Sequence, residues 1–523
     1  MKQWLYLLLL CIFIGGVFVG CGNQGGENIF QLGGQEYALG DTGGLTLPLT
    51  TENETLSYLV TSGVSDLNNK YIIQVLREVT GVNLQVEAYP ASTVNEKVKM
   101  LVAAKTLPDL IGAGLESDEA INDLGVQGAF VSIDDRLDLM PNLKALIYDN
   151  EEHNWFFKSY QAEDGHTYVI PLYDFQRDVN HGMLYRKDIF DKHGISLWEG
   201  PEEFYDRLKQ LKTLYPDSVP FTSKNQENIF NQLSVSWGLN AYLPYYDEEE
   251  KIWKHSDTDP LMKEILDFVR KMVQEELFDP EFLTLTQAAW TQKMTQEEKA
   301  FVTFDWIGRL EMFKTQTAET LPEYDLRYAP PIGPKGTVVS LPKIGTGSAA
   351  SNRKNHELAL QFSDFLLSEA GAELITMGVE GETYVLDENG MAQYLEFEKD
   401  YAITINDLEE KYGMFLQGMY KRFDRRSIYF NYTEREQEAQ DFAVKNNRFE
   451  PADPKLLYTN EEKEILTGLM PNLRKASSEF FIQYVLTENT GQPAWDAWIE
   501  KFSSLGANQV IDIYNQAQVR YEQ

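Results

Sequence analysis

With 523 residues and 43% hydrophobic content, the chain can bury a large core and divide into two or more lobes. Its 81 acidic residues against 46 basic ones give a formal charge of −35. That balance argues against nucleic acid and anionic lipid as partners, which need a basic footprint, and it disfavours polyanions unless a local basic cleft overrides the average. The only two cysteines are Cys11 and Cys21, so disulfide staples are excluded as a source of stability.

The chain opens with Lys2 and an apolar run from Trp4 to Gly20, and Phe18-Val19-Gly20-Cys21 closes it. A charged start, a hydrophobic middle and a small residue before cysteine are the layout of a lipoprotein signal peptide, residues 1–20, with Cys21 as the lipidated mature N-terminus. The same run, about 17 residues, is at the short end of a membrane span, and Gly15, Gly16 and Gly20 weaken that alternative. Two or more acyl chains anchor stably where one does not. Nothing after residue 21 is long and apolar enough to cross a membrane.

Residues 21–54, rich in Gly, Asn, Thr and Glu, read as a flexible tether. Order is expected from Glu54, with a strand at Thr55–Val60. A helix follows with Tyr71, Ile72, Val75, Leu76 and Val79 on one face and Gly81 as its stop. Val82 to Ala88 alternate as a half-buried strand. Thr93 and Glu96 match a capping box for a helix to about Lys105, and Pro108–Gly112 reads as the next strand. Strand, helix, strand, helix, strand is the grammar of a parallel sheet, whose ligands sit beyond the carboxyl ends of the strands. The loops at Thr61–Gly63, Tyr89-Pro90 and Ala113–Glu116 are the ones in question.

A second unit opens near residue 168, and Gly200-Pro201-Glu202-Glu203 starts a helix with proline at its first position and acids in its first turn. From residue 386 helical periodicity dominates, as at 461–485 and 494–520. No repeat or heptad array stands out.

Several landmarks occur together in order: Leu107-Pro108-Asp109-Leu110-Ile111, Phe130-Val131-Ser132-Ile133-Asp134-Asp135, Met183-Leu184-Tyr185-Arg186-Lys187-Asp188, Phe278-Asp279-Pro280-Glu281-Phe282, Ala300 to Trp306, Ser340-Leu341-Pro342-Lys343-Ile344, and Gly378 to Tyr384. In these the chain resembles the extracellular solute-binding proteins of family 1, specifically the long lipoproteins similar to alginate- and other oligosaccharide-binding components of ABC importers. The resemblance spans roughly residues 45–523. It implies an α/β, two-lobed, periplasmic-binding-protein-like fold of type II with a largely helical C-terminal region, closing over a ligand about crossing strands. Lobe one is then 50–168 plus 343–385, and lobe two 172–338 plus 386–523. The hinges fall at 168–173, 338–343 and near 380. The implied partners are an oligosaccharide and ABC permease subunits, with a monomer held at the outer face of the membrane by lipid. Many relatives carry a calcium loop where this chain has only Tyr215–Pro220, so no metal is expected there, and no cofactor.

A sugar needs aromatic platforms beside hydrogen-bonding side chains, and most of the 9 Trp, 28 Tyr and 28 Phe must be core. Trp306, with Asp305, ends an apolar strand and is the first candidate platform, its alternative being a structural tryptophan beside a helix. Trp237 sits in a loop-like context beside Gly238, whereas Trp290 in a helix reads as packing. Tyr89 follows a strand end and Tyr384 follows the third crossover. Tyr173, Asp174 and Arg177 lie past the first hinge, with an Asp174–Arg177 salt bridge as the bland alternative. Glu116 has a surface alternative, and the basic stretch 420–426 reads as a solvated helix face, with a local anion contact as the other reading.

Enzyme signatures are missing: no His-Glu-x-x-His, no metal-ligand cluster among six scattered histidines, no Gly-x-Ser-x-Gly elbow and no Walker loop. The sequence therefore points to a lipid-anchored binding protein for an oligosaccharide rather than an enzyme. A peptide or other small solute as ligand, and a surface glycoside hydrolase working through paired carboxylates, are the alternatives.

Overall fold

The computed structural model describes residues 28–32, 34–397, 403–449 and 454–523. The signal peptide and Cys21 lie outside the described residues. Two α/β units each carry their own apolar core. No helix among the described residues is long and apolar enough to cross a membrane.

The first unit is built on a five-stranded sheet in the order Asn83–Tyr89, Thr55–Thr61, Leu110–Ile111, Ile344–Ala350, Ile170–Tyr173. The first three strands are parallel, as the alternating strand and helix pattern predicts, and Ile344–Ala350 runs antiparallel to both of its neighbours, so Ile170–Tyr173 points the same way as the first three. The helix Tyr71–Thr80 buries Ile72, Ile73, Val75, Leu76 and Val79 and ends at Gly81, whose φ of 71° is the left-handed conformation of a C-terminal stop. Asp109 locks the sheet locally: its carboxylate accepts from the backbone N–H of Ser57 at 2.8 Å and from the Ser57 hydroxyl at 2.7 Å. Thr93 begins the helix Val94–Ala104 but does not cap it. Its hydroxyl donates instead to the Pro90 carbonyl at 3.2 Å, so the expected capping box does not form.

The tether expectation is overturned for the described part of residues 21–54. Asn28–Leu32 and Gln35–Leu39 form a hairpin, Leu39 is buried in the first core, and Leu49 N–H donates to the Thr80 carbonyl at 2.8 Å. Gly43 packs so closely on Asn142 that a Cβ would lie 1.8 Å from its side-chain oxygen. At Gly43 the glycine serves close packing rather than flexibility.

In the second unit His181–Arg186 is the centre of a three-stranded antiparallel sheet between Val302–Trp306 and Leu326–Ala329. Alternation along the central strand feeds two cores. Met183 and Tyr185 face the larger cluster with Phe204, Phe268 and Phe278, and Leu184 faces a smaller one with Trp290, Leu310 and Tyr328. The helices Pro201–Leu214 and Pro260–Gln274 both take proline in their first turn. The expected helix at 494–520 is two helices, Gly491–Ser504 and Ala507–Glu522, broken at Gly506 with φ 98°. With Asn460–Leu486 they pack on the second core through Phe480, Phe481, Trp495 and Trp498.

Residues 403–430 depart from the expected division at 386. Leu408, Tyr412, Phe415, Leu416, Met419, Phe423 and Phe430 belong to the first core. The chain enters the second unit only afterwards, where Ala439 and Ala443 join the smaller cluster. The third crossing therefore lies at about 431–433, not near 380, and Thr433 caps the helix Glu434–Lys445 on arrival. The first crossing also moves: Ile170–Tyr173 is a strand of the first sheet, and residues 174–180 make the passage alongside 338–343. The basic stretch 420–426 is irregular, ion-paired chain rather than a helix face, because its arginines are held by Asp174, Glu369, Glu373 and Asp424.

Candidate functional site between the lobes

The strand Val302–Trp306 is buried along its length until its last residue. There it meets the crossing: Trp306 pairs with His181, Asp305 pairs with Gly182, and Ile307 N–H donates to the Asn180 carbonyl at 3.0 Å. Trp306 is 36% exposed, an unusual state for an indole, and its ring lies over Gly308, where a Cβ would come within 2.4 Å of it. Only glycine lets the ring lie down there.

Behind this ring sits a compact charged group. Asp305, 3% exposed, is held by Lys224 Nζ at 2.5 Å and Arg309 Nε at 3.1 Å. Both cations rest on the fully buried Trp290, 5.0 and 5.3 Å from its ring centre, and the Trp290 indole N–H donates to Thr303 at 3.1 Å. Trp290 is thus packing, as its helical context implies, and also a floor for the ion pairs. Asn225 joins the edge, its amide donating to Gln232 Oε1 at 3.0 Å and to the Phe304 carbonyl at 3.1 Å. Desolvation by the protein around it holds His181 below the ordinary histidine value, with the charge of Asp305 opposing that shift and Lys224 adding to it. Apart from this group, a cavity of about 700 Å³ is lined by Trp237, Asn240, Tyr245, Tyr246, Asp247 and the crossing residues Val338, Val339, Ser340 and Pro342, and Trp306 and the charged group behind it are not among its walls. Trp237 borders it but is only 5% exposed, packed against Phe268 at 6.1 Å.

The crossing strands are braced by two arginines. Arg425 grips Asp174, whose φ of 47° turns the chain, and reaches Asp178 at 3.5 Å. Arg177 lies between the rings of Tyr429 and Tyr432, at 5.5 and 5.0 Å, and its fork meets Glu436 at 3.5 Å. Asp174 and Arg177 therefore do not pair with each other; each ties the first crossing to the chain around the third. Tyr173, half-buried, packs edge-on to His153 at 5.5 Å, with Lys343 and Arg422 at 5.7 and 5.8 Å from its ring centre.

The remaining candidates scatter over the first lobe. Tyr89 ends its strand as expected, half-buried beneath Lys97 at 5.2 Å, and its carbonyl accepts from Ser62 N–H at 3.0 Å. Glu116 is a surface carboxylate paired with Lys99 at 2.8 Å. Tyr384 corrects the expectation of a presented aromatic: it is fully buried in the first core, donating to Glu373 at 2.7 Å. Lys224, Asn225, His181 and Arg309 escape sequence reasoning. The one available signal was Arg309, a cation in the first turn of the helix Arg309–Thr317, where the helix dipole disfavours it. The structure also gathers Asp134, Asp135 and His166 within 4.8 Å, a grouping that the scattered histidines did not reveal. His166 is raised there by its hydrogen bond to Asp134.

Among curated proteins the chain is 23% identical over 345 residues to lipoprotein LipO of Bacillus subtilis (strain 168), covering 60% of this chain and 64% of that one, just under two thirds of its length. Among solved structures, alginate-binding protein AlgQ2 without calcium ion is 24% identical with a TM-score of 0.62, over 91% of this chain and 99% of that one. An HMO-binding, ABC-transporter-associated solute-binding protein from Bifidobacterium longum infantis is 16% identical with a TM-score of 0.65, over 89% and 99%. These likenesses show the two-lobed α/β fold. The family model described as bacterial extracellular solute-binding protein matches residues 72–380, more than half of the chain, and the chain belongs to that family.

Proposed function

We propose that this solute-binding protein is the lipid-anchored receptor of an ABC importer, capturing an oligosaccharide between its lobes and delivering it uncut to the permease. The observation that carries the reading is Trp306, an exposed indole at the interlobe crossing, paired across the strands with His181 and backed by the charged group of Asp305, Lys224 and Arg309. A flat apolar ring beside donors and acceptors suits a sugar, whose apolar face is rimmed by hydroxyls. Two relatives of the same fold, named for alginate and for HMO binding, support the ligand class, and the second is named for its ABC transporter. The lipoprotein LipO and the Gly20-Cys21 pair support the anchor. Closure about the three crossings then makes a monomer self-sufficient, with Cys21 holding it beside the permease at the outer membrane face.

Thermal shift of the mature chain against an oligosaccharide panel tests the ligand, with the sugars analysed after incubation. A cognate sugar at a hundredfold excess over its dissociation constant stabilises by about 2.7 kcal/mol. Recovery of shortened sugar would sink the transport reading in favour of hydrolysis. Cys21→Ser should leave sugar binding intact and release the protein from membranes, and retention of that variant would refute the anchor.

A further inference from the structure

The lobes also touch where no chain passes between them. Leu456 is buried with Tyr246, Trp253 and Ala517 on the second lobe, and its neighbour Lys455 reaches the other way. The Lys455 ammonium lies 2.9 Å from Asp118 Oδ2 and 3.7 Å from the ring centre of Tyr160, a buried member of the first core. A second contact runs in the opposite sense. Lys158 of the first lobe lies 5.7 Å from the ring centre of Tyr521, in the last helix of the second, and donates to the Tyr521 carbonyl at 3.4 Å. Asn122 joins the first-lobe anchors into one patch, its amide donating to the Tyr160 carbonyl at 3.0 Å.

Charge is matched across this junction. Burial pushes Glu119, next to Asp118, upward, but its own backbone, Ser117 and the charges of Lys455 and Lys463 bring it below the ordinary carboxylate value. Both acids open the helix Asp118–Val126, whose N-terminus favours them charged. That helix begins just past the Ala113–Glu116 loop, at the carboxyl end of the strand Leu110–Ile111, the edge of the sheet that faces a ligand. The joining groups are charged ends of long side chains, and Lys455 and Asp118 are 41% and 20% exposed. Water can replace such a pair at small cost, so the junction can break where a covalent crossing cannot.

We propose that Lys455 and Tyr521 of the second lobe, with Asp118, Tyr160 and Lys158 of the first, form a latch that restrains how far the unliganded lobes swing apart. The crossings set the axis of the motion, and the latch sets its range. Its strength depends on salt, because an ion pair at a partly exposed rim is screened.

The test measures the lobes directly and needs no sugar, so its outcome is independent of the ligand class proposed above. Spin labels on Met100→Cys and Ile499→Cys, exposed helix positions on the first and second lobes, report the interlobe distance by pulsed dipolar resonance in a Cys21→Ser background. Lys455→Met, which keeps the apolar stem, should raise the ratio of long to short distances by about fivefold. Lys158→Ala should add to it, and about 1 M salt on the chain with an intact latch should move the distribution the same way. The swap of Lys455→Asp with Asp118→Lys should recover part of the short population, which loss of packing alone would not predict. Should Lys455→Met fail to fold, Asp118→Asn and the salt series decide. A distance distribution that neither the variants nor salt alters overturns the latch.

Discussion

The two lobes use the same layers of helix on sheet, yet they present opposite kinds of wall to the gap between them. In the first lobe the loops at the strand ends are satisfied internally: Thr61 N–H donates to the Gln417 carbonyl at 2.9 Å, the Ser62 hydroxyl binds Glu409, Tyr89 lies under Lys97, and Glu116 pairs with Lys99. In the second lobe Trp306 is left uncovered, and Arg309 keeps donors that no protein group takes among the described residues. The difference teaches that unspent hydrogen-bonding capacity beside an exposed ring marks a binding wall better than aromatic content does. By content alone the first lobe, with Tyr58, Tyr173, Tyr384 and Phe423, looks equally equipped, but those rings are core or bracing.

The most severe way to stress this comparison is Trp290→Ala. Removing a fully buried indole costs about 3–5 kcal/mol, which urea denaturation should register as early loss of the second lobe. Because the same ring carries Lys224 and Arg309, the folded remainder should also bind ligand more weakly. Unchanged affinity in that fraction would break the link between the second core and the site.

Next in size is an acid effect confined to the second lobe. His255 is buried against Phe502 at 4.6 Å with neither ring nitrogen partnered, and burial lowers its pKa to about 4. Its folded pKa lies below the unfolded value of 6.5, so the unfolded chain binds the proton more readily. The stability it allows is full above pH 6.5 and is lost as pH falls toward 4, by about 3 kcal/mol. Asp257, raised to about 6 by burial, pulls the other way: its contribution is full below pH 3.8 and lost as pH rises through 6. The two oppose each other in the unaltered protein. His255→Phe should therefore match it at pH 7.5 and exceed it in melting temperature at pH 4.5; a variant equally acid-sensitive would refute the assignment.

Trp306→Ala comes third and separates binding from stability. Loss of the platform should weaken the cognate sugar by about 1.5–3 kcal/mol, tenfold or more by calorimetry. An exposed strand-end residue should change folding stability by less than about 0.5 kcal/mol. Normal sugar binding by this variant would move the site away from the second-lobe wall.

Much of the fold was legible because it rests on local periodicity. The parallel strands at 55–61, 83–89 and 110–111, the stop at Gly81 and the proline-led helix at 201 all follow from patterns within about ten residues. Lobe membership was less legible, since a helix-rich stretch such as 403–430 has the same periodicity whichever core it joins. Gly43 read as tether because glycine serves both flexible chain and close packing. Trp306 was readable from a strand that ends on an aromatic. Lys224 and His181 were not, because they come from separate segments: the register of Val302–Trp306 against His181–Arg186 sets His181 opposite Trp306, and Lys224 reaches Asp305 from elsewhere in the chain, whereas Arg309 lies only four residues from Asp305.

The smallest predicted effect falls on the first lobe and tests the comparison from its other side. Glu116 and Lys99 are both more than half exposed, so solvent screens their 2.8 Å pair and side-chain entropy offsets what attraction remains. Glu116→Gln should shift the melting temperature by no more than about 0.5 kcal/mol of stability allows and change sugar affinity less than twofold. The pair also raises Lys99 through its hydrogen bond to Glu116, a shift that the variant lessens, Glu96 supplying the rest, without consequence for the fold. If Glu116→Gln instead weakens the sugar as much as Trp306→Ala does, the carboxylate turns from Lys99 to the ligand when the lobes close. The first wall would then be an active partner whose internal pairing belongs only to the unliganded form.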